Sequence, residues 1–162
     1  MKPSFLSGAM AALACAGLLL TGPVQAATEA PAETSDQGIN SMPPDDSLAT
    51  YKTVIQASDG SAEKQTLILN NVANLLKYFG PDMVAIDVVA YGPGLRLFFK
   101  DNVNAQRIQD LAAQGINFLA CENTMKAMNK VKADLNPAVK TTPAGIVYIL
   151  KREKQGWLYI RP

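Results

Sequence analysis

Apolar and polar positions alternate in a recognisable order only from Tyr51 onward. Thr53-Val54-Ile55-Gln56-Ala57 is a short β-branched run closed by the turn residues Ser58-Asp59-Gly60, the signature of a strand and its exit. Ser61 stands where a helix cap belongs. Beyond it Ile68, Val72, Leu75, Leu76 and Phe79 fall at i, i+4, i+7, i+8 and i+11, one apolar stripe of a helix stopped by Gly80-Pro81. Val84 to Ala90 is almost continuously apolar, as in a strand covered on both faces. Asp87 alone breaks that run, which places it near the strand's edge or opposite a base.

Tyr91-Gly92-Pro93-Gly94 reads as a turn, and the apolar segment Leu95 to Phe99 fits neither period; as an exposed apolar face it would suit an interface. Asp101 to Gln114 predicts a helix with Ile108 and Leu111 inward and Gly115 as its stop. Ile116 to Ala120 predicts a strand, Cys121 to Thr124 a loop, and Met125 to Lys132 a helix. A short strand at Val139 to Thr141 leads to Pro143 in the first turn of a helix ending near Gly156. Trp157 to Ile160 closes the chain as a strand. This alternation predicts a doubly wound α/β fold of flavodoxin-like type: a mainly parallel five-stranded sheet with helices on both faces. Ligands in such sheets bind beyond the carboxyl ends of the strands. The loops at Ser58 to Gly60, Tyr91 to Gly94 and Cys121 to Thr124 all follow strands and are expected to meet there.

The first 49 residues have a different texture. Lys2 precedes an apolar run, Gly8 to Leu20, and Val24-Gln25-Ala26 supplies the small residues of a cleavage site. A run of about 13 residues is short of the roughly 20 a membrane span needs. Residues 1–26 are therefore expected to be a cleavable signal peptide, giving a periplasmic or secreted protein with no membrane attachment after cleavage. Ala12-Leu13-Ala14-Cys15 makes a poor lipidation signal because the apolar run continues past the cysteine. Residues 27–49, rich in Ala, Pro, Ser and Thr, show no apolar period and read as a flexible acidic leader to the domain at 50–162.

Charge sharpens that division. The leader holds Glu29, Glu33, Asp36, Asp45 and Asp46 and no base, whereas residues 50–162 carry 14 Lys plus Arg against 9 Asp plus Glu. The excess is compatible with an anionic ligand and too scattered for nucleic acid. With no histidine in the chain, Ser-His and Cys-His mechanisms are excluded and no metal spacing remains. No phosphate-binding glycine loop and no cofactor motif are present. Loss of Cys15 with the signal would leave Cys121 as the one thiol, unable to form an internal disulfide.

Two roles for Cys121 follow from the pattern. It is a small buried hydrophobe at the end of an apolar strand, or a nucleophile whose thiolate is favoured by a helix N-terminus, with Glu122 opposing. Asn123 and Thr124 stand where a helix cap or an anion-binding side chain is needed. Tyr91, Gly92 and Gly94 would line the same cleft, with Asp59 from the first loop; each is equally readable as turn or packing. Met125 and Met128, at helical spacing, read as core.

Gly115-Ile116-Asn117-Phe118-Leu119-Ala120-Cys121-Glu122-Asn123-Thr124 resembles the cysteine loop of the DsrE/DsrF-like family. Tyr91-Gly92-Pro93-Gly94, Pro143-Ala144-Gly145 and the ending Gln155 to Pro162 are similar to its exported branch, so that the likeness runs from about Lys52 to the C-terminus. The resemblance implies a YchN-like doubly wound fold and a homo-oligomer, a trimer or hexamer. It also implies sulfur-relay chemistry, in which Cys121 takes sulfur as a persulfide from a donor protein and passes it to an acceptor protein. Two functions compete on this reading. One is a thiol-based sulfur carrier, or a sulfurtransferase-like protein, using Cys121. The other is a non-catalytic oligomeric binding module for a small anion or a partner protein. Whether the protein is an enzyme is left open between them.

Overall fold

The computed structural model describes residues 47–162. The proposed signal peptide, and all of the proposed leader but its last three residues, lie outside them. Five strands form one all-parallel sheet: β1 (Tyr51–Ala57), β2 (Val84–Ala90), β3 (Asn117–Cys121), β4 (Val139–Thr142) and β5 (Leu158–Ile160). Their spatial order is β4-β3-β2-β1-β5. Four α-helices connect them: α1 (Ala62–Phe79), α2 (Ala105–Ala112), α3 (Glu122–Ala127) and α4 (Gly145–Lys154).

This order fixes which face each helix covers. The chain steps from β1 through β4 in one direction, and right-handed crossovers put α1, α2 and α3 on one face. There Ile68, Leu69, Val72, Ile108, Leu111 and Met125 pack on alternate strand residues such as Ile55, Val88 and Phe118. From β4 the chain must return across the whole sheet to β5, so α4 lies on the other face. Its Ile149 packs on Val54, Val89 and Leu119, the residues of opposite parity. The chain therefore leaves β3 towards one face and β4 towards the other, which opens a crevice at the carboxyl ends of these neighbours.

The α1 start follows its sequence signals. Ser61 is extended, its hydroxyl accepts from the Lys64 N–H at 3.4 Å, and Gly80 at φ 80° ends the helix. Other boundaries differ from expectation. The helix expected over Asp101 to Gln114 is shorter, because residues 101–104 form turns held by the Asn102 side chain on Arg96 O and Gln65. Pro143 lies ahead of α4, whose cap is Ala144. Leu95 to Phe99 is no exposed face: Gly92–Phe98 is a 3₁₀ helix with Leu95, Leu97 and Phe98 fully buried. Its three-residue period turns Arg96 outward, and Phe98 meets Phe118 edge to face at 5.6 Å.

Asp87 is fully buried in the middle of β2 and is opposite a base. Its Oδ2 accepts from Arg152 Nε and from the Tyr148 hydroxyl, both at 2.7 Å, and its Oδ1 from Asn117 Nδ2 at 3.0 Å. Asn117 in turn accepts from Lys140 Nζ at 2.8 Å. One carboxylate thus ties β2, β3 and β4 to α4, so the helix that crosses the sheet is held by charge as well as by Ile149. Burial raises the Tyr148 hydroxyl far above the usual tyrosine range, helped by the Asp87 charge and by the bond to it.

Candidate functional site

Cys121 is the last residue of β3 and the N-cap of α3, in extended geometry at φ −74°, ψ 116°. The expected loop from Cys121 to Thr124 is absent because α3 starts at Glu122, immediately after the cysteine; Asn123 and Thr124 occupy its first turn. The parity of β3 sends Cys121 to the α4 face, while α3 departs to the other. Cys121 is 5% exposed.

The beginning of α4 meets this thiol side. A Cβ built on Gly145 would stand 3.3 Å from Cys121 Cβ, 3.3 Å from Tyr91 Cδ1 and 3.2 Å from Val89 Cγ1. Gly145 therefore lets the first turn of α4 pack tightly on Cys121, and a side chain there would need its neighbours to give by a few tenths of an ångström. The opening amides of a helix have no intrahelical acceptor, and here the cap Ala144 makes no side-chain bond to them. The first turn of α4 therefore starts against the Cys121 side chain, with its opening amides free of side-chain caps.

The first two strand-end loops and the cysteine turn meet as expected. Tyr91 N–H donates to Ala57 O at 3.1 Å and Gly94 N–H to Ser58 O at 3.2 Å. A Cβ on Gly94 would lie 2.1 Å from the Ala57 carbonyl oxygen, so only glycine allows this approach. Gly92, at φ 53°, donates its N–H to Thr124 Oγ1 at 3.1 Å, which links the second loop to the cysteine turn.

The residues around Cys121 are not equally available to a ligand. Thr124 accepts from Gly92, leaving its hydroxyl proton to donate. The Asn123 amide donates to Pro143 O at 3.3 Å, bridging the crevice between β3 and β4, and its side chain is exposed. Asp59 uses one carboxylate oxygen on the Ser61 N–H at 2.7 Å, and that bond, more than the nearby Lys64 and Arg161, holds its carboxyl below the usual range. Its place is the start of α1. Tyr91 is half-buried beside Gly145; burial, then the neighbouring Tyr159, raises its hydroxyl above the usual range and keeps it a neutral donor at physiological pH.

Sequence reasoning missed Gly145 and Gln56. Gln56 Nε2 donates to Ser58 Oγ at 2.7 Å, and its Oε1 accepts from the Tyr159 hydroxyl on the neighbouring strand β5. No local signal marks Gln56. The Pro143-Ala144-Gly145 turn was visible, but not that its glycine would touch the thiol side chain from a strand away.

A parallel sheet with a cysteine at the carboxyl end of an inner strand, beside a helix start at the crevice, defines a small α/β protein with one thiol among the described residues. The comparisons with known proteins are more specific. Residues 52–162 match the model of the DsrE/DsrF-like family, and the chain belongs to that family. It is similar to the structure of the protein of unknown function MTH1491 from Methanobacterium thermoautotrophicum, with 32% identity and a TM-score of 0.66. That match covers 69% of this chain and 99% of the other. No curated protein matches.

Proposed function

We propose that this protein is an exported, thiol-based sulfur carrier whose nucleophile is Cys121. The observation that carries this reading is the position of Cys121 at the β3–β4 crevice, with the first turn of α4 against it. The chemistry is an exchange of sulfane sulfur. The Cys121 thiolate attacks the outer sulfur of a donor persulfide, a new S–S bond forms, the donor's S–S bond breaks, and the donor leaves as a thiolate. Cys121 then holds the persulfide, its terminal sulfur anionic and stabilised by the α4 start, the Thr124 hydroxyl and the neutral Tyr91 hydroxyl. Attack by an acceptor thiolate on that outer sulfur returns Cys121 to its starting state. Each S–S bond broken is replaced by one formed and the transferred sulfur keeps its oxidation state, so the exchange needs no external oxidant or reductant.

Family membership supports the sulfur-relay character of the reading. The signal-like first 26 residues support a periplasmic or secreted setting, where donor and acceptor proteins would be exported as well. A homo-oligomer belongs to the same reading: Ile146 and Leu150, exposed one turn apart on α4, offer an apolar surface for self-association.

One observation favours a second reading. At 5% exposure, Cys121 has the burial of a packing residue, and a non-catalytic module would use the crevice for a small anion or a partner. Loading separates the two. Incubation with a small-molecule persulfide donor, followed by intact mass, is expected to add one sulfur atom per chain, and Cys121→Ser is expected to abolish the addition with the fold intact. Equal loading of the variant would sink the carrier reading. Absence of loading in the parent chain would leave the binding module in its place.

A further inference from the structure

Polar side chains continue past Cys121 along the α4 face of the sheet, towards β5. Cys121 and Tyr91 each stand one residue beyond the paired Ala120 and Ala90, and a Cβ on Gly145 would touch both side chains. Val54, which packs under Ile149 on this face, is paired with Tyr159. Gln56 lies two residues beyond Val54 and Arg161 two beyond Tyr159, so alternation turns both to the same side, where Gln56 accepts from the Tyr159 hydroxyl. Burial first, then Tyr159, raises the Tyr91 hydroxyl, while Arg161 lowers it and Cys121 raises it; all three side chains are therefore within electrostatic reach of that hydroxyl. Arg161 is exposed and has no hydrogen bond or ion pair among the described residues. The Asp59 carboxylate, which also feels Arg161, is held by the Ser61 N–H. A cation with its donors free thus ends the row that begins at the thiol.

We propose that Arg161 sets the donor specificity of the crevice, selecting small persulfides whose carbon skeleton carries a carboxylate. This rests on the sulfur-carrier reading and names its donor class. β5 is three inter-strand steps from β3, about 14 Å. A guanidinium reaching back over Gln56 towards Tyr91 leaves a gap of a few bonds, the distance between sulfur and carboxylate in a three-carbon thiol. Its planar fork suits a carboxylate, and the nearby Asp59 charge favours one negative charge over two. With the carboxylate on Arg161, the outer sulfur of the donor faces Cys121. The Cys121 thiolate attacks that sulfur, the donor S–S bond breaks as the new one forms, and the rest of the donor leaves as a thiolate.

Two donors of equal length test this, the persulfides of β-mercaptopropionate and of its uncharged amide. Loading of the full chain is followed by intact mass, and each rate is divided by the same donor's rate with β-mercaptoethanol, a neutral acceptor. The parent is expected to load from the carboxylate donor about fivefold faster than from the amide at low salt, with the advantage shrinking as salt is added. Arg161→Gln is expected to bring the ratio near one by slowing the carboxylate donor alone, and Arg161→Lys to keep part of the preference. Equal corrected rates in the parent overturn the inference and leave the carrier reading standing. So does an Arg161→Gln variant that keeps the parent's ratio, including one slowed equally with both donors. Loading from neither donor overturns the carrier reading and the inference together.

Discussion

Replacing Asp87 by Asn tests whether the crossover helix is held to the sheet by a buried ion pair. Three donors converge on this carboxylate: Asn117 Nδ2 on one oxygen, Tyr148 hydroxyl and Arg152 Nε on the other. The amide offers one acceptor oxygen, and its NH₂ group must face a donor. The charge of Arg152, 5% exposed, loses the Asp87 carboxylate 2.7 Å from its Nε. Gln155 and the Trp157 ring remain against the guanidinium. Breaking a buried pair from one side costs about 3–5 kcal/mol. For a domain of this size about 4 °C of Tm accompanies each kcal/mol, so Tm is expected to fall by about 12–20 °C. Urea unfolding followed by Trp157 emission gives the free energy directly, since the pair and the reporter share Arg152. Asp110→Asn is the control: its bond from Gln106 is exposed and within α2, and its loss is expected to cost under about 0.5 kcal/mol. A loss for Asp87→Asn no larger than for the control would refute the reasoning, because it would mean that the pair is solvated and the network incidental.

Two further outcomes follow from the same contacts. Gly94→Ala puts a carbon 2.1 Å from the Ala57 carbonyl oxygen, so the two loops must separate; a loss of about 3 kcal/mol or more in urea unfolding is expected, and one under about 1 kcal/mol would contradict the close approach. Tyr148 has a folded pKa raised above its unfolded value, so its contribution is complete below about pH 10 and declines as pH rises beyond that. Tyr148→Phe is expected to be less stable than the parent at pH 7 and to lose less further stability between pH 9 and pH 11, about the tyrosine range; equal alkaline slopes in the two proteins would show that Tyr148 is not the titrating group.

Elements that announce themselves locally were legible from the residues. All five strands lie within a residue or so of their expected places, β1 and β2 as apolar runs that end in turn residues, and the α1 cap and stop sit on Ser61 and Gly80. The meeting of the strand-end loops followed from parallel topology alone. Asp87, as the one charge in a buried run, already required either an edge or a base. What could not be read was which base, since Arg152 lies 65 residues away and no period links them. Leu95 to Phe99 was misread because a 3₁₀ turn buries residues at a spacing that neither helix nor strand templates test. The cysteine turn looked like a loop because Glu-Asn-Thr is typical of loops, yet the same residues suit a helix's first turn. Gly145 emerges as a site residue only when α4 is folded back across the sheet.

The central claim, that Cys121 is an activated thiol at the crevice, is tested most directly by alkylation of the folded protein. Iodoacetamide labelling is followed by intact mass across the neutral pH range, beside a free thiol and the urea-unfolded chain. The account predicts that the folded protein labels at pH 7 faster than the free thiol, by about tenfold, and gains one adduct that Cys121→Ser lacks. Labelling that begins only when the chain unfolds would contradict it, and would assign Cys121 to the packing of the β3–α4 contact.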